Sequence, residues 1–216
     1  MGRAASFGLV ATLLAAPATA GEFNVGIVGG GLFNKMPALS GSLLVPDFNN
    51  QVENGRDFGA LGGIILERAW PTFGALRFEP KYMRKGTVLS TVQNSGNFVK
   101  GDVELDYVSL PLMFKSTMFR SKPVQLVLIS GLSADYLVKG RFLGADIKDE
   151  FESWDFTVTA RIGLQVKAGE NGAFGVQFNV ASSLAGIDKG QPNQDKLKNT
   201  GLGFAVEYTH TVARQK

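Results

Sequence analysis

Asp155-Phe156-Thr157-Val158-Thr159-Ala160-Arg161-Ile162-Gly163-Leu164-Gln165-Val166-Lys167 alternates apolar and polar residues without a break. Phe156, Val158, Ala160, Ile162, Leu164 and Val166 form one column. Asp155, Thr157, Thr159, Arg161, Gln165 and Lys167 form the other, with Gly163 among them. A period of two sets the columns on opposite faces of a β-strand. A tilted strand crosses a hydrocarbon layer with about 9–11 residues, so this one is long enough to span a membrane.

Seven further segments share the pattern. The strands are predicted at 22–34, 57–69, 73–86, 101–116, 123–138, 154–168, 173–186 and 200–212. Phe23, Val25, Ile27 and Phe33 oppose Asn24, Gly26, Gly30 and Asn34. Leu76, Phe78, Pro80 and Tyr82 oppose Arg77, Glu79, Lys81 and Lys85. Val103, Leu105 and Tyr107 oppose Glu104 and Asp106, after which a phase slip is expected near Ser109-Leu110-Pro111, since proline cannot donate to a ladder. Phe174, Val176, Phe178 and Val180, and then Leu202, Phe204, Val206 and Tyr208, complete the apolar columns. The segment around Val124 to Leu132 is apolar on both faces, and glycine dilutes the pattern of 57–69. Connections at 70–72, 117–122 and 169–172 are short; those at 35–56, 87–100, 139–153 and 187–199 are long. Such alternation places all the long loops at one end of an antiparallel up-and-down barrel of eight strands, the external end if the barrel spans an outer membrane.

The N-terminus reads as a secretory leader. Arg3 supplies a positive start, residues 7–16 are apolar apart from Thr12, and Ala18-Thr19-Ala20 offers small residues for cleavage. The expected division is a signal peptide over 1–20 and a barrel domain over 21–216. Cysteine is absent, which excludes a disulfide scaffold and thiolate chemistry. The net charge of +3 is interspersed rather than clustered, so no nucleic-acid footprint is present.

Periodicity does not say which column faces inward: a soluble calyx carries the same alternation with its apolar column inside. Aromatics at both strand ends favour the membrane reading, because amphipathic rings gather at bilayer interfaces. The expected girdle comprises Phe23, Trp70, Phe73, Phe174 and Tyr208 at one rim and Tyr82, Tyr107, Tyr136 and Trp154 at the other. The expected charge network in the lumen is Arg77, Glu79, Lys81, Glu104, Asp106, Arg161 and Glu207. Eight strands leave an interior just filled by side chains, so these charges read as a plug rather than a channel.

Two stretches carry a family resemblance. Glu79, Tyr82, Lys85 and Gly86, followed by Leu110, Pro111, Leu112 and Lys115, resemble the PorT-like outer-membrane β-barrel proteins, often called porin-family proteins, of the Bacteroidota type. The resemblance implies an eight-stranded outer-membrane barrel and brings no catalytic residue. Asn199, Gly201, Phe204 and Val206 resemble the terminal-strand signal read by barrel-assembly machinery, although the chain runs on past His210 as a short basic tail.

Other chemistry finds little support. Outer-membrane lipid A deacylases use serine, histidine and an acid on a barrel of this size. Here the single histidine, His210, falls in the outward column, with Thr209 and Thr211 as neighbours and no serine nearby on its face. No catalytic residue, cofactor or metal is expected. The partners expected are outer-membrane lipid and the assembly machinery, with the protein a monomer. The functional expectation is a non-enzymatic barrel with a structural or surface-interaction role. A narrow porin for ions or small solutes is the first alternative, and a soluble calyx for an apolar ligand the second.

Overall fold

The computed structural model describes residues 21–35, 48–71, 74–93, 98–187 and 198–215. The expected leader lies outside the described residues. The strands are β1 (Gly21–Lys35), β2 (Phe48–Trp70), β3 (Gly74–Phe78), β4 (Lys81–Gln93), β5 (Phe98–Met118), β6 (Val124–Phe142), β7 (Ala145–Asp146), β8 (Trp154–Ala168), β9 (Gly172–Ser183) and β10 (Thr200–Gln215). All pairings are antiparallel. β1 pairs with both β2 and β10, which closes a ring of eight staves in which β3 and β4 share one stave and β7 is a short flap on β6. Closure leaves no unpaired edge, the condition for a sheet to lie in lipid.

The broken stave has a local cause. Glu79 and Pro80 separate β3 from β4, opposite Leu110 and Pro111 of β5. Neither proline has an N–H to give to the ladder. The gap is bridged by the N–H of Glu79 donating to Pro111 and that of Ile64 donating to Pro80, at 3.2 and 3.1 Å.

The apolar columns face outward. Ile27, Ile64, Leu132, Ile162, Val176 and Phe204 are all exposed on the outer wall, with Ile27 63% accessible. A continuous band of this kind is costly in water and stable in lipid. The inward positions instead carry buried Arg77, Glu79, Lys81, Arg161, Gln177 and Glu207. An apolar-lined soluble calyx is therefore the wrong way round.

The strands outrun their predicted ends. Segments 48–56, 87–93 and 98–100, expected in loops, continue the ladder, with Asn54 opposite Leu89 and Val92 opposite Phe98. The tail past His210 also belongs to the ladder, since β10 pairs with β1 as far as Gln215 opposite Gly21. β5 and β6 span 21 and 19 residues, about twice what a tilted crossing needs, so their outer halves stand above the bilayer.

The phase slip expected near Ser109-Leu110-Pro111 does not occur in β5. β5 holds one phase: Val103, Leu105, Tyr107, Ser109, Pro111, Met113 and Lys115 are all buried, while Val108, Leu112 and Phe114 are exposed. The irregularity lies in β6, where Asp106 pairs with Lys139 but Tyr107 with Leu137. Tyr107 is thus a core residue at 0% exposure, not part of the girdle. Glu104 and Asp106 lie on the outer wall, opposite Gly86 and Arg84, and not in the lumen. The physical reason is that the wall leaves the membrane here. Above the lipid the ordinary rule of soluble proteins returns, with apolar residues inside and charges outside.

Candidate functional site: a lumen closed by charge and capped by apolar side chains

The inward face holds three layers of ion pairs. In the innermost layer Arg77 donates to Glu67 through Nε at 2.8 Å and Nη2 at 2.6 Å, and to Glu207 through Nη1 and Nη2. Lys115 stands 3.4 Å from Glu67, and Asn24 donates to the same carboxylate at 3.1 Å. In the middle layer Arg161 forms a two-pronged contact with Glu79 at 2.7 and 2.9 Å, and Lys81 donates to Glu79 at 3.1 Å. In the outer layer Lys85 donates to Asp135 at 2.7 Å and to Asp155 at 2.8 Å. Ser109 donates to Asp135, and Ser183 and Asn199 to Asp155.

Among the described residues, the lumen buries five cations (Arg77, Lys81, Lys85, Lys115 and Arg161) against five carboxylates (Glu67, Glu79, Asp135, Asp155 and Glu207). An unpaired buried charge costs several kcal/mol. An electrically balanced interior is therefore the form in which ten such groups can coexist.

Above the charges lies an apolar cap. Ile147 and Phe151, from the connection between β6 and β8, and Ile187, which follows β9, are all buried. They join Val103, Leu105, Tyr107, Leu137 and Phe142 of the extended wall in one cluster. Backbone bonds fix the connections in place: Glu152 N–H donates to Ile187 at 2.6 Å, Leu137 to Ser153 at 2.9 Å and Ile147 to Gly140 at 3.1 Å. Lys85 Nζ lies 4.7 Å from the Tyr107 ring centroid, so cap and outer charge layer meet at a cation–π contact. The inner end is open, as a vestibule of about 650 Å³ whose lining includes Asn24, Glu67, Lys115, Gln125 and Gln165.

Of the expected lumen network, the structure brings Arg77, Glu79, Lys81, Arg161 and Glu207 together and puts Glu104 and Asp106 outside. There Asp106 accepts from Arg84 Nε at 2.8 Å and Glu104 lies 3.4 Å from Arg84. Glu67, Lys85, Lys115, Asp135 and Asp155 complete the network. Lys85 and Asp155 stand in polar columns of the sequence; Glu67 sits in the strand diluted by glycine, and Asp135 just beyond the segment apolar on both faces.

On the outer wall the rings stand at two heights. Phe174 and Tyr208 pair across strands at 4.8 Å near the inner rim, where Phe23 and Trp70 also lie. Tyr136 and Trp154 pair at 5.0 Å near the outer rim, where Tyr82 is exposed. Phe73 lies outside the described residues. His210 is exposed on the outer wall opposite Val25, apart from every carboxylate of the lumen.

A family model described as outer membrane protein beta-barrel domain matches residues 15–189. The chain belongs to that family. Its place is the outer membrane, and in barrels of this class the short turns face the periplasm and the longer loops the exterior, so the vestibule is periplasmic and the cap external. Neisserial surface protein A is similar at 13% identity over 88% of this chain and 98% of its own, with a TM-score of 0.53. The outer membrane protein OprG from Pseudomonas aeruginosa is similar at 10% identity over 88% and 96%, with a TM-score of 0.50. Identities this low speak for the fold alone. No curated protein sequence matches the chain.

Proposed function

We propose that this member of the family is a non-enzymatic barrel with a closed lumen, acting through the extended wall and loops that it raises above the outer membrane. The observation that carries this reading is the balanced set of five buried cations and five buried carboxylates beneath an apolar cap. Ion-pair layers of this density leave no wide aqueous path, and the side chains of Ile147, Phe151 and Ile187 offer nothing to replace an ion's hydration shell. The outer wall presents Arg84 and Glu104 half-exposed, with Asp106 buried against Arg84, as a charged strand face suited to contacts outside the cell. The exported form begins at Gly21 after loss of the leader, is inserted by the barrel-assembly machinery, and works as a monomer in lipid. The resemblance of Glu79, Tyr82, Lys85 and Gly86 to PorT-like proteins accords with this reading, because Glu79 and Lys85 each anchor one charge layer. Planar-bilayer recording tests the proposal: the purified, heat-modifiable barrel gives no steady conductance. Steady single-channel currents in the unaltered protein would instead establish the narrow porin.

A further inference from the structure

The ion pairs are not spread evenly round the lumen. One side of it, formed by β8, β9 and the residue that precedes β10, carries a row of buried polar atoms without a hydrogen-bond partner among the described residues. The row comprises Gln165 Oε1, both amide atoms of Gln177, Arg161 Nε, Asn179 Oδ1, Asn199 Oδ1 and Asp155 Oδ1. Gln177 is 1% exposed, and a buried amide left unbonded costs about 1–3 kcal/mol. So many unpaired atoms on one wall need a common partner.

Their positions form a path. Gln165 lines the periplasmic vestibule. Gln177 and Asn179 are successive inward residues of β9, about 7 Å apart. They sit opposite Gly163 and Arg161 of β8. Gly163 lets β9 approach closely with Gln177 over it, because a Cβ there would lie 2.2 Å from the Val176 carbonyl oxygen and 2.7 Å from Gln177 Cγ. Asn179 and Asn199 then line a second cavity of about 20 Å³, together with Lys81, Lys85, Thr157 and Thr159. About 10–15 Å³ is enough to hold one water. The path ends at Asp155, directly under the apolar cap.

We infer that this side of the lumen holds a single file of water running from the periplasmic vestibule to Asp155, and that the apolar cap alone keeps the barrel from being a water pore. Water is the partner that fits: it donates to the amide and carboxylate oxygens, accepts from Gln177 and Arg161, and matches the width. Hydrated ions do not fit a cavity of one-water size. Ion pairs that reach from Arg161 and Asp155 to Glu79 and Lys85 close the lumen beside the file, and Ile147, Phe151 and Ile187 close its outer end by offering it no polar partner. The inference rests on the closed-lumen reading, and the two can fail separately.

The test has two parts. In the folded protein, magnetisation-transfer NMR reports whether the Gln177 side-chain amide contacts long-lived internal water. Contact is expected, and its absence would overturn the inference. In proteoliposomes, osmotic water permeability is then compared for the wild type, for Phe151→Ser/Ile187→Ser, and for that pair combined with Gln177→Leu. The wild type should match empty vesicles. The cap variant should exceed them several-fold without gaining ion conductance, and Gln177→Leu should return it to the baseline. Cap variants that shift on boiling, and so are folded, yet stay as tight as empty vesicles would refute the role of the cap. Ion conductance in the unaltered protein would instead strike at the closed-lumen reading.

Discussion

Replacing Arg77 with methionine removes the hub of the inner charge layer while keeping much of its volume. The wild-type guanidinium serves two carboxylates at once, Glu67 and Glu207, at 0% exposure. After Arg77→Met, Glu67 keeps Asn24 at 3.1 Å and Lys115 at 3.4 Å, so part of its charge remains answered. Glu207 loses both of its bonds to Arg77 and stays buried. Removing one partner of a buried pair costs about 3–5 kcal/mol. At about 1.4 kcal/mol per tenfold, that is a loss of roughly a thousandfold in the folding equilibrium. Urea titration of the barrel in phosphatidylcholine vesicles, followed by tryptophan fluorescence and by gel mobility with and without boiling, measures it. The double variant with Glu207→Gln should recover most of the loss, because Glu67 and Lys115 then remain as a balanced pair. A cost for Arg77→Met below about 1 kcal/mol would refute the argument, since it would mean that the vestibule hydrates these carboxylates freely.

Lys85→Met should destabilise the barrel more than Lys81→Met in the same titration. Lys85 answers both Asp135 and Asp155, whereas Glu79 keeps its two-pronged contact with Arg161 when Lys81 is lost. Expected costs are about 3–5 kcal/mol and about 1 kcal/mol, and equal losses would contradict the layered assignment. Gly30→Val should prevent closure between β1 and β10, because its Cβ would fall 2.1 Å from the Phe204 carbonyl oxygen. The readout is loss of the boiling-dependent mobility shift, and an unchanged shift would show that the seam can spread. The chain has two tryptophans, Trp70 at the inner rim and Trp154 at the outer. In single-tryptophan variants, bromines near the lipid headgroups should quench each more strongly than bromines at the mid-chain; the reverse order would displace the girdles.

Where the wall lies in lipid, the sequence was legible because its two faces meet opposite solvents. Phe156, Val158 and Ile162 touch hydrocarbon, while Thr157, Thr159 and Arg161 touch the polar lumen, and a period of two follows directly. The same logic misled at Glu104, Asp106 and Tyr107. Those residues keep the strand's phase, but they stand above the lipid, where polarity reverses between the faces. A reversal at constant phase reads in sequence like a phase slip at constant polarity. Only the pairing of Lys85 with Leu105 and of Arg84 with Asp106 separates the two. Ile147, Phe151 and Ile187 were not legible at all, because loop residues buried by folding back carry no period. Asp135 and Asp155 could be seen as polar positions, but their sharing of Lys85 across the barrel is a property of its cross-section.

The level at which polarity reverses also explains why the lumen needs two kinds of closure. Within the membrane a polar interior is permitted by the small cross-section, and charges can balance one another there, as Arg161 and Glu79 do at 2.7 Å. Above the membrane the outer wall meets water and no longer gains from apolar side chains. The extension of β5 and β6 then has to be stabilised from within, as any soluble sheet is, by burial of Val103, Leu105, Tyr107 and Leu137. Those residues need an apolar partner, and the folded-back connections supply it through Phe151 and Ile187. The cap is thus a consequence of strands that outrun the bilayer. A barrel whose strands stopped at the outer girdle would lack this inner core, and its outermost charge layer, around Lys85, would face open water.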